Sequence, residues 1–198
     1  AYSENLGTLE THFENDGRTF TIFGNNNTLT GNADGIVFGN SDKDVLNVQN
    51  LTIDGFANGF VTVNKGIVNF DNVIVKGILN TLINEDAGQV TIKNSDINNN
   101  NSTNSVIAKV KSGILNLISS VVKSNVQDAN GTIDILQSSV VNIEDTSFIS
   151  NTSKTTLGGA IKNEGTLNIS ASCSWVISFS FRSSFKKPPI FFWSICFL

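Results

Sequence analysis

Charge is scarce in this chain of 198 residues: 13 are Lys or Arg, 17 are Asp or Glu, and the net charge is −4. Nucleic acid requires a basic stripe facing phosphates, so that class of partner is excluded. Cysteine is limited to Cys173 and Cys196, which makes neither a disulfide framework nor a zinc site. Proline occurs only at Pro188 and Pro189, His12 is the single histidine, and Arg18 is the one arginine before the last 26 residues. No charged segment followed by an apolar stretch opens the chain, so no export signal is legible. The chain begins at Ala1 without Met, which reads either as a removed signal or as part of a longer chain. The most apolar stretch, Phe179 to Leu198, is broken by Lys186-Lys187-Pro188-Pro189 and makes a poor membrane span.

Asparagine is abundant instead. It recurs from Asn5 to Asn168, with runs at Asn25-Asn26-Asn27 and Asn98-Asn99-Asn100-Asn101. These asparagines are interleaved with Ile, Val, Leu and Phe, which a solvated disordered segment does not need. With 39% hydrophobic residues the chain can build a core.

One phrase repeats, with copies starting at Leu46, Val68, Val90, Leu115, Val141 and Leu167. In register the copies read Leu46/Val48/Leu51/Ile53, Val68/Phe70/Val73/Val75, Val90/Ile92/Ser95/Ile97, Leu115/Leu117/Ser120/Val122 and Val141/Ile143/Thr146/Phe148. A looser turn precedes them at Phe20 to Gly31. Apolar and polar residues alternate, as in strands with one buried face. The phase breaks at Asn50, Asn72, Asn94, Ser119 and Asp145. Asn and Asp tolerate left-handed backbone angles, so a turn ladder is expected there. Second turns fall at Gly55-Phe56, Gly77-Ile78, Asn99-Asn100, Ser124-Asn125 and Ser150-Asn151. A third strand lies ahead of each copy, at Ile36–Phe38, Val61–Val63, Leu82-Ile83, Val106–Ala108, Ile133–Ile135 and Ala160-Ile161.

Three strands and three bends per 22–26 residues predict an all-β fold: a right-handed, single-stranded parallel β-helix of about six to seven coils. Stacking places like over like, with apolar columns inside and amide columns at the corners. A β-sandwich is the main rival, since Asp16-Gly17, Asp34-Gly35, Asp54-Gly55, Asn58-Gly59 and Asn130-Gly131 are hairpin-type pairs. Hairpins do not account for a repeat that keeps its identity position by position.

The β-helix is assigned to residues 20–172. Residues 1–19 form an N-terminal cap or arm, with Leu6, Leu9 and Phe13 at the spacing of a short helical turn. Residues 173–198 form an aberrant hydrophobic tail, read as the product of a frameshift or truncation, or alternatively as an anchor. A shifted reading frame after Ile169 is expected to restore an Asn-rich coil, which sequencing the surrounding gene checks.

Chemistry is sparse. Glu85-Asp86, Asp42 with Asp44, and Glu144-Asp145 sit at different positions of different coils and are read as solvated turn charges. Glycoside cleavage needs two carboxyls flanking one bond. No catalytic, cofactor-binding or metal-binding residue is assigned, and Asp42-Lys43-Asp44 is only a weak calcium hint. The candidate binding residues are an outward polar column: Asn47, Asn69, Thr91, Asn116, Asn142 and Asn168. Its neighbour, Thr52, Ile74, Asp96, Val121 and Ser147, is too irregular for an ice-binding face.

The segments Thr146-Ser147-Phe148-Ile149-Ser150-Asn151 and Leu157-Gly158-Gly159-Ala160-Ile161-Lys162-Asn163-Glu164-Gly165-Thr166-Leu167-Asn168-Ile169 resemble the Phe-x-x-Asn and Gly-Gly-Ala-Ile repeats of chlamydial polymorphic outer-membrane proteins. They are equally similar to the adhesin-like surface proteins of gut methanogens, as is Thr21 to Gly31. The resemblance covers about residues 20–170, with the full phrase present once. It implies a pectin-lyase-like parallel β-helix, secreted or at the cell surface. It also implies an adhesive role toward a host glycan or protein, with no catalysis. A fragment of a carbohydrate-active β-helix enzyme and a structural spacer are the alternative functions.

Overall fold

The computed structural model describes residues 17–31, 35–39, 41–128, 130–154 and 159–170, together with the backbone of the strand Leu9–Glu10. The tail at 173–198, and Leu6 and Phe13 of the expected helical turn, lie outside the described residues.

Two left-handed positions that recur from coil to coil shape the path of the chain. Asn50, Asn72, Asn94, Ser119 and Asp145 have φ of 52°, 54°, 52°, 47° and 45°. The second turn is made the same way by Gly55, Gly77, Asn99, Ser124 and Ser150, with φ between 53° and 80°. Such angles bend the chain, and the residues beyond the bend lie on a new face.

Each strand then pairs in parallel with its equivalents one coil before and one coil after. Phe20, Leu46, Val68, Val90, Leu115, Val141 and Leu167 are consecutive register partners. So are Ile22, Val48, Phe70, Ile92, Leu117, Ile143 and Ile169. The result is a parallel β-solenoid of about six turns with sheets of seven, eleven and three strands. The eleven-stranded sheet counts as one because Val45–Asp54 runs unbroken past Asn50 and pairs with both Ile67–Asp71 and Ile74–Lys76. All pairings among the described residues are parallel, which excludes the hairpin sandwich. No helix occurs among them. The Leu9–Glu10 strand pairs with Ile36–Val37, so at these two residues a first sheet rung replaces the expected helical turn.

The core is one continuous apolar cluster running from Ile36 to Ala160. Aromatic rings fill its early coils: Phe56 meets Phe60 edge-on at 5.2 Å and 81°, and Phe60 meets Phe70 at 6.0 Å. Burying each Val, Leu or Ile contributes roughly 1.5–3 kcal/mol.

Three details differ from the pattern expected of the sequence. In the seven-stranded sheet the strands are Ile83–Glu85, Ala108–Val110 and Ile161–Asn163, one or two residues later than expected. Val106 and Ile107 are fully buried but lead into the strand rather than forming it. A small third sheet, Asn101–Ser102, Val126–Gln127 and Thr152–Ser153, has no apolar alternation to announce it.

The left-handed corner yields a direct test. Asn94→Val should destabilise the protein by about 1–3 kcal/mol, because a β-branched residue is strained at φ 52°. Asn94→Gly should stay within about 1 kcal/mol of the parent. Urea unfolding followed by far-UV circular dichroism measures both.

Candidate binding face

The strand that opens each repeat copy turns alternate residues outward, and the outward residues of successive coils stand in register columns. Thr21, Asn47, Asn69, Thr91, Asn116, Asn142 and Asn168 occupy one column, each in register with the next. All six expected column residues are therefore brought together, with Thr21 extending the line. Asn69 Nδ2 donates to Asn47 Oδ1 at 3.0 Å, Asn142 Nδ2 to Asn116 Oδ1 at 2.8 Å, and Asn168 Nδ2 to Asn142 Oδ1 at 2.8 Å. Asn116 Nδ2 donates to Thr91 Oγ1 at 3.3 Å, and Asn47 Nδ2 reaches Thr21 Oγ1 at 3.5 Å. Donation always runs from a coil to the one before it.

The corner ladder is less regular than expected. Asn72 Nδ2 donates to Asn50 Oδ1 at 2.6 Å, but Asn94 Nδ2 turns to Asp71 Oδ1 at 2.9 Å. Ser119 and Asp145 continue the corner through the backbone, donating N–H to Glu144 O and Ser170 O. Here the shared feature is the left-handed angle, not a continuous amide stack.

A second amide ladder lies inside the molecule, where the sequence reading placed only turns. Asn100 and Asn125 are buried and Asn151 half-buried, in the positions that Phe56 and Ile78 hold in earlier coils. Asn125 Oδ1 accepts both the Asn100 backbone N–H at 3.1 Å and the Asn100 amide at 2.9 Å. Asn151 Oδ1 does the same for Asn125, at 3.1 and 2.9 Å. Asn125 Nδ2 donates to Ile97 O and Asn151 Nδ2 to Val122 O. Ser95, Ser120 and Thr146 form a parallel line, accepting the N–H of Val73, Ser95 and Ser120 respectively, at 3.2 Å each. The one signal for these ladders was their recurrence directly after the second turn and directly after the first.

Ion pairs also connect successive coils. Asp54 pairs with Lys76 at 3.4 Å, Asp71 with Lys93 at 3.2 Å and Asp96 with Lys123 at 2.9 Å. Asp86 pairs with Lys111, and Asp134 with Lys162 at 3.0 Å. Partial burial works against the Lys162 charge, but Asp134 and Glu164 outweigh it and hold its pKa above the usual range. In each pair the lysine is one coil beyond its carboxylate.

The acidic groups read as solvated turn charges divide into different roles. Asp44 is buried, and its carboxylate accepts the Ser41 N–H at 2.9 Å and the Arg18 N–H at 3.5 Å, so it fastens a turn. No group of three or more His, Cys, Asp or Glu among the described residues could hold a metal ion. Glu85 is a correction to that reading: it is fully buried, and neither carboxylate oxygen has a hydrogen-bond partner. It stands in a column with Val63 and Val110, facing inward because Ile83–Glu85 alternates from the core. Its carboxyl fills the space left by Gly113, where a Cβ would strike Oε1. Burial pushes its pKa up to about 8. Glu144 by contrast is exposed.

Beside the C-terminal part of the outward column is a shallow depression of about 220 Å³ lined by Asn116, Ile118, Asn142, Glu144, Asn168 and Ser170. No helix among the described residues is long and apolar enough to cross a membrane. No family model matches this chain, and no curated protein or solved structure matches it either.

Glu85 imposes a pH dependence of definite sign. The folded state keeps a proton to about pH 8 that the unfolded chain releases near 4.5. Its contribution is therefore fully present below 4.5 and is lost as pH rises toward 8, by a few kcal/mol in order of magnitude. Denaturant midpoints measured between these limits should fall with pH in the parent, and Glu85→Gln should flatten that slope.

Proposed function

We propose that the chain is a secreted or cell-surface display module that adheres through its outward amide column and catalyses no reaction. The observation that carries this reading is the column itself. After its inter-coil bonds, each asparagine retains at least one N–H and one carbonyl lone pair for a ligand. Such donor–acceptor pairs recur at about 4.8 Å along a straight line on a rigid sheet. That spacing suits an extended, hydroxyl-rich polymer such as a host-surface glycan. The resemblance of Thr146–Asn151 and Leu157–Ile169 to polymorphic outer-membrane and adhesin-like repeats favours an extracellular setting and a pectin-lyase-like relationship.

A polysaccharide-cleaving role fits less well. Glu85 faces the core and Asp86 is engaged by Lys111, so this adjacent pair does not flank a surface-bound substrate.

The test uses the full chain on immobilised glycans and on host cells, with Asn116→Val/Asn142→Val as the variant. Valine suits a strand, so the circular dichroism spectrum should persist. Removing these polar contacts should weaken binding by about tenfold to a hundredfold. Undiminished binding by the folded variant would contradict the proposal. Release of reducing or unsaturated ends from pectin-like polymers would replace it with an enzyme.

A further inference from the structure

Three outward carboxylates of the solenoid share an arrangement that Glu144 lacks. In direct register, Asp54 is followed one coil on by Lys76, Asp71 by Lys93 and Asp134 by Lys162. Each of these lysines neutralises the carboxylate behind it. Glu144 is followed in register by Ser170, and preceded by Ile118. Lys93 lies one coil further back in the same column, where it is already paired with Asp71. Among the described residues Glu144 has no ion-pair partner, and its side chain is exposed.

Ser170 leaves a gap where a lysine would have stood, and that gap is the depression bounded by Glu144, Ile118 and the amides of Asn116, Asn142 and Asn168. These three amides are the tightest run of the outward column, joined by bonds of 2.8 Å each. These bonds hold the amides in place, and Asn116 and Asn142 each keep one N–H and one lone pair unused. Ile118 adds a half-buried apolar wall. A charged carboxylate, a row of oriented amides and a small apolar surface are together what a sugar ring carrying an ammonium group requires.

Resting on the adhesive reading above, we propose that this depression is a subsite for an amino-sugar unit of a polysaccharide, whose ammonium group takes the place of the missing lysine opposite Glu144. The adjoining hydroxyls are met by Asn116, Asn142 and Asn168.

Calorimetric titration of the full chain with hexamers of β-linked glucosamine, either N-acetylated or fully deacetylated, separates the charge from the polymer backbone. Measurement at mildly acidic pH keeps the amine charged. The parent should bind the deacetylated hexamer roughly threefold to fivefold more tightly at low salt, and lose that margin at high salt. Glu144→Gln should abolish the preference. Ser170→Lys should abolish it too, because it restores the in-register lysine. Equal binding of both hexamers to the parent, or a preference that survives in both variants, overturns the subsite while leaving the adhesive column intact. Binding of neither hexamer, nor of any other glycan, by a correctly folded chain overturns the adhesive reading itself. Glu144-dependent binding of an oligolysine peptide in the absence of glycan binding assigns the subsite to a protein partner instead and overturns the amino sugar.

Discussion

Parallel pairing between coils puts each residue beside its own equivalent rather than beside a stranger. Val68 lies between Leu46 and Val90, and Asn142 between Asn116 and Asn168. A single substitution pattern, repeated, is therefore enough to build a core, an amide column and a set of ion pairs. The arrangement holds only while the coils stay in step. A slip of one residue would turn every apolar column outward. The left-handed residues at Asn50, Asn72, Asn94, Ser119 and Asp145 prevent such a slip, since each coil turns at the same register.

The side-chain hydrogen bonds run one way along the outward column and both ways in the interior, where the Asn125 and Asn151 amides also reach back to Ile97 O and Val122 O. On the surface, Asn69, Asn142, Asn168 and the paired lysines reach back to the preceding coil. In the interior, the N–H groups of Val73, Ser95, Ser120, Asn100 and Asn125 reach forward to hydroxyl or amide oxygens of the next coil. An inner coil is thus completed by both neighbours. Buried polar groups are costly unless partnered, so the interior ladders commit adjacent coils to one another in a way that apolar contact alone does not. Exposed ion pairs add little stability individually, and their main effect is on alignment.

Much of this was legible in the sequence because period-two alternation with a fixed break is hard to produce by any other fold. The columns headed by Leu46 and Val48 and the left-handed corners follow directly from it. What was not legible has a common cause: short segments carry too little pattern. Ile83–Glu85 spans three residues, so whether Glu85 faced the core or the solvent was undetermined until its register with Val63 and Val110 was fixed. Asn100, Asn125 and Asn151 follow a turn residue, where asparagine is ordinarily part of the turn. Leu9–Glu10 fits helical and strand spacing equally, and pairing with Ile36–Val37 decides it. The candidate face was readable as a column, but the depression beside Glu144 depends on which residue stands one coil further on, and only the register supplies that.

The fold depends on the stacking of equivalent residues along a single axis. Pulsed electron–electron spin resonance between labels at positions 47 and 142, and then at 47 and 168, measures that stacking. The positions are four and five coils apart in the column, so the mean distances should be about 19 Å and 24 Å, differing by one rung of about 4.8 Å. Distances that do not increase by one rung between the two pairs, or that place residue 168 nearer to residue 47 than residue 142, would contradict it.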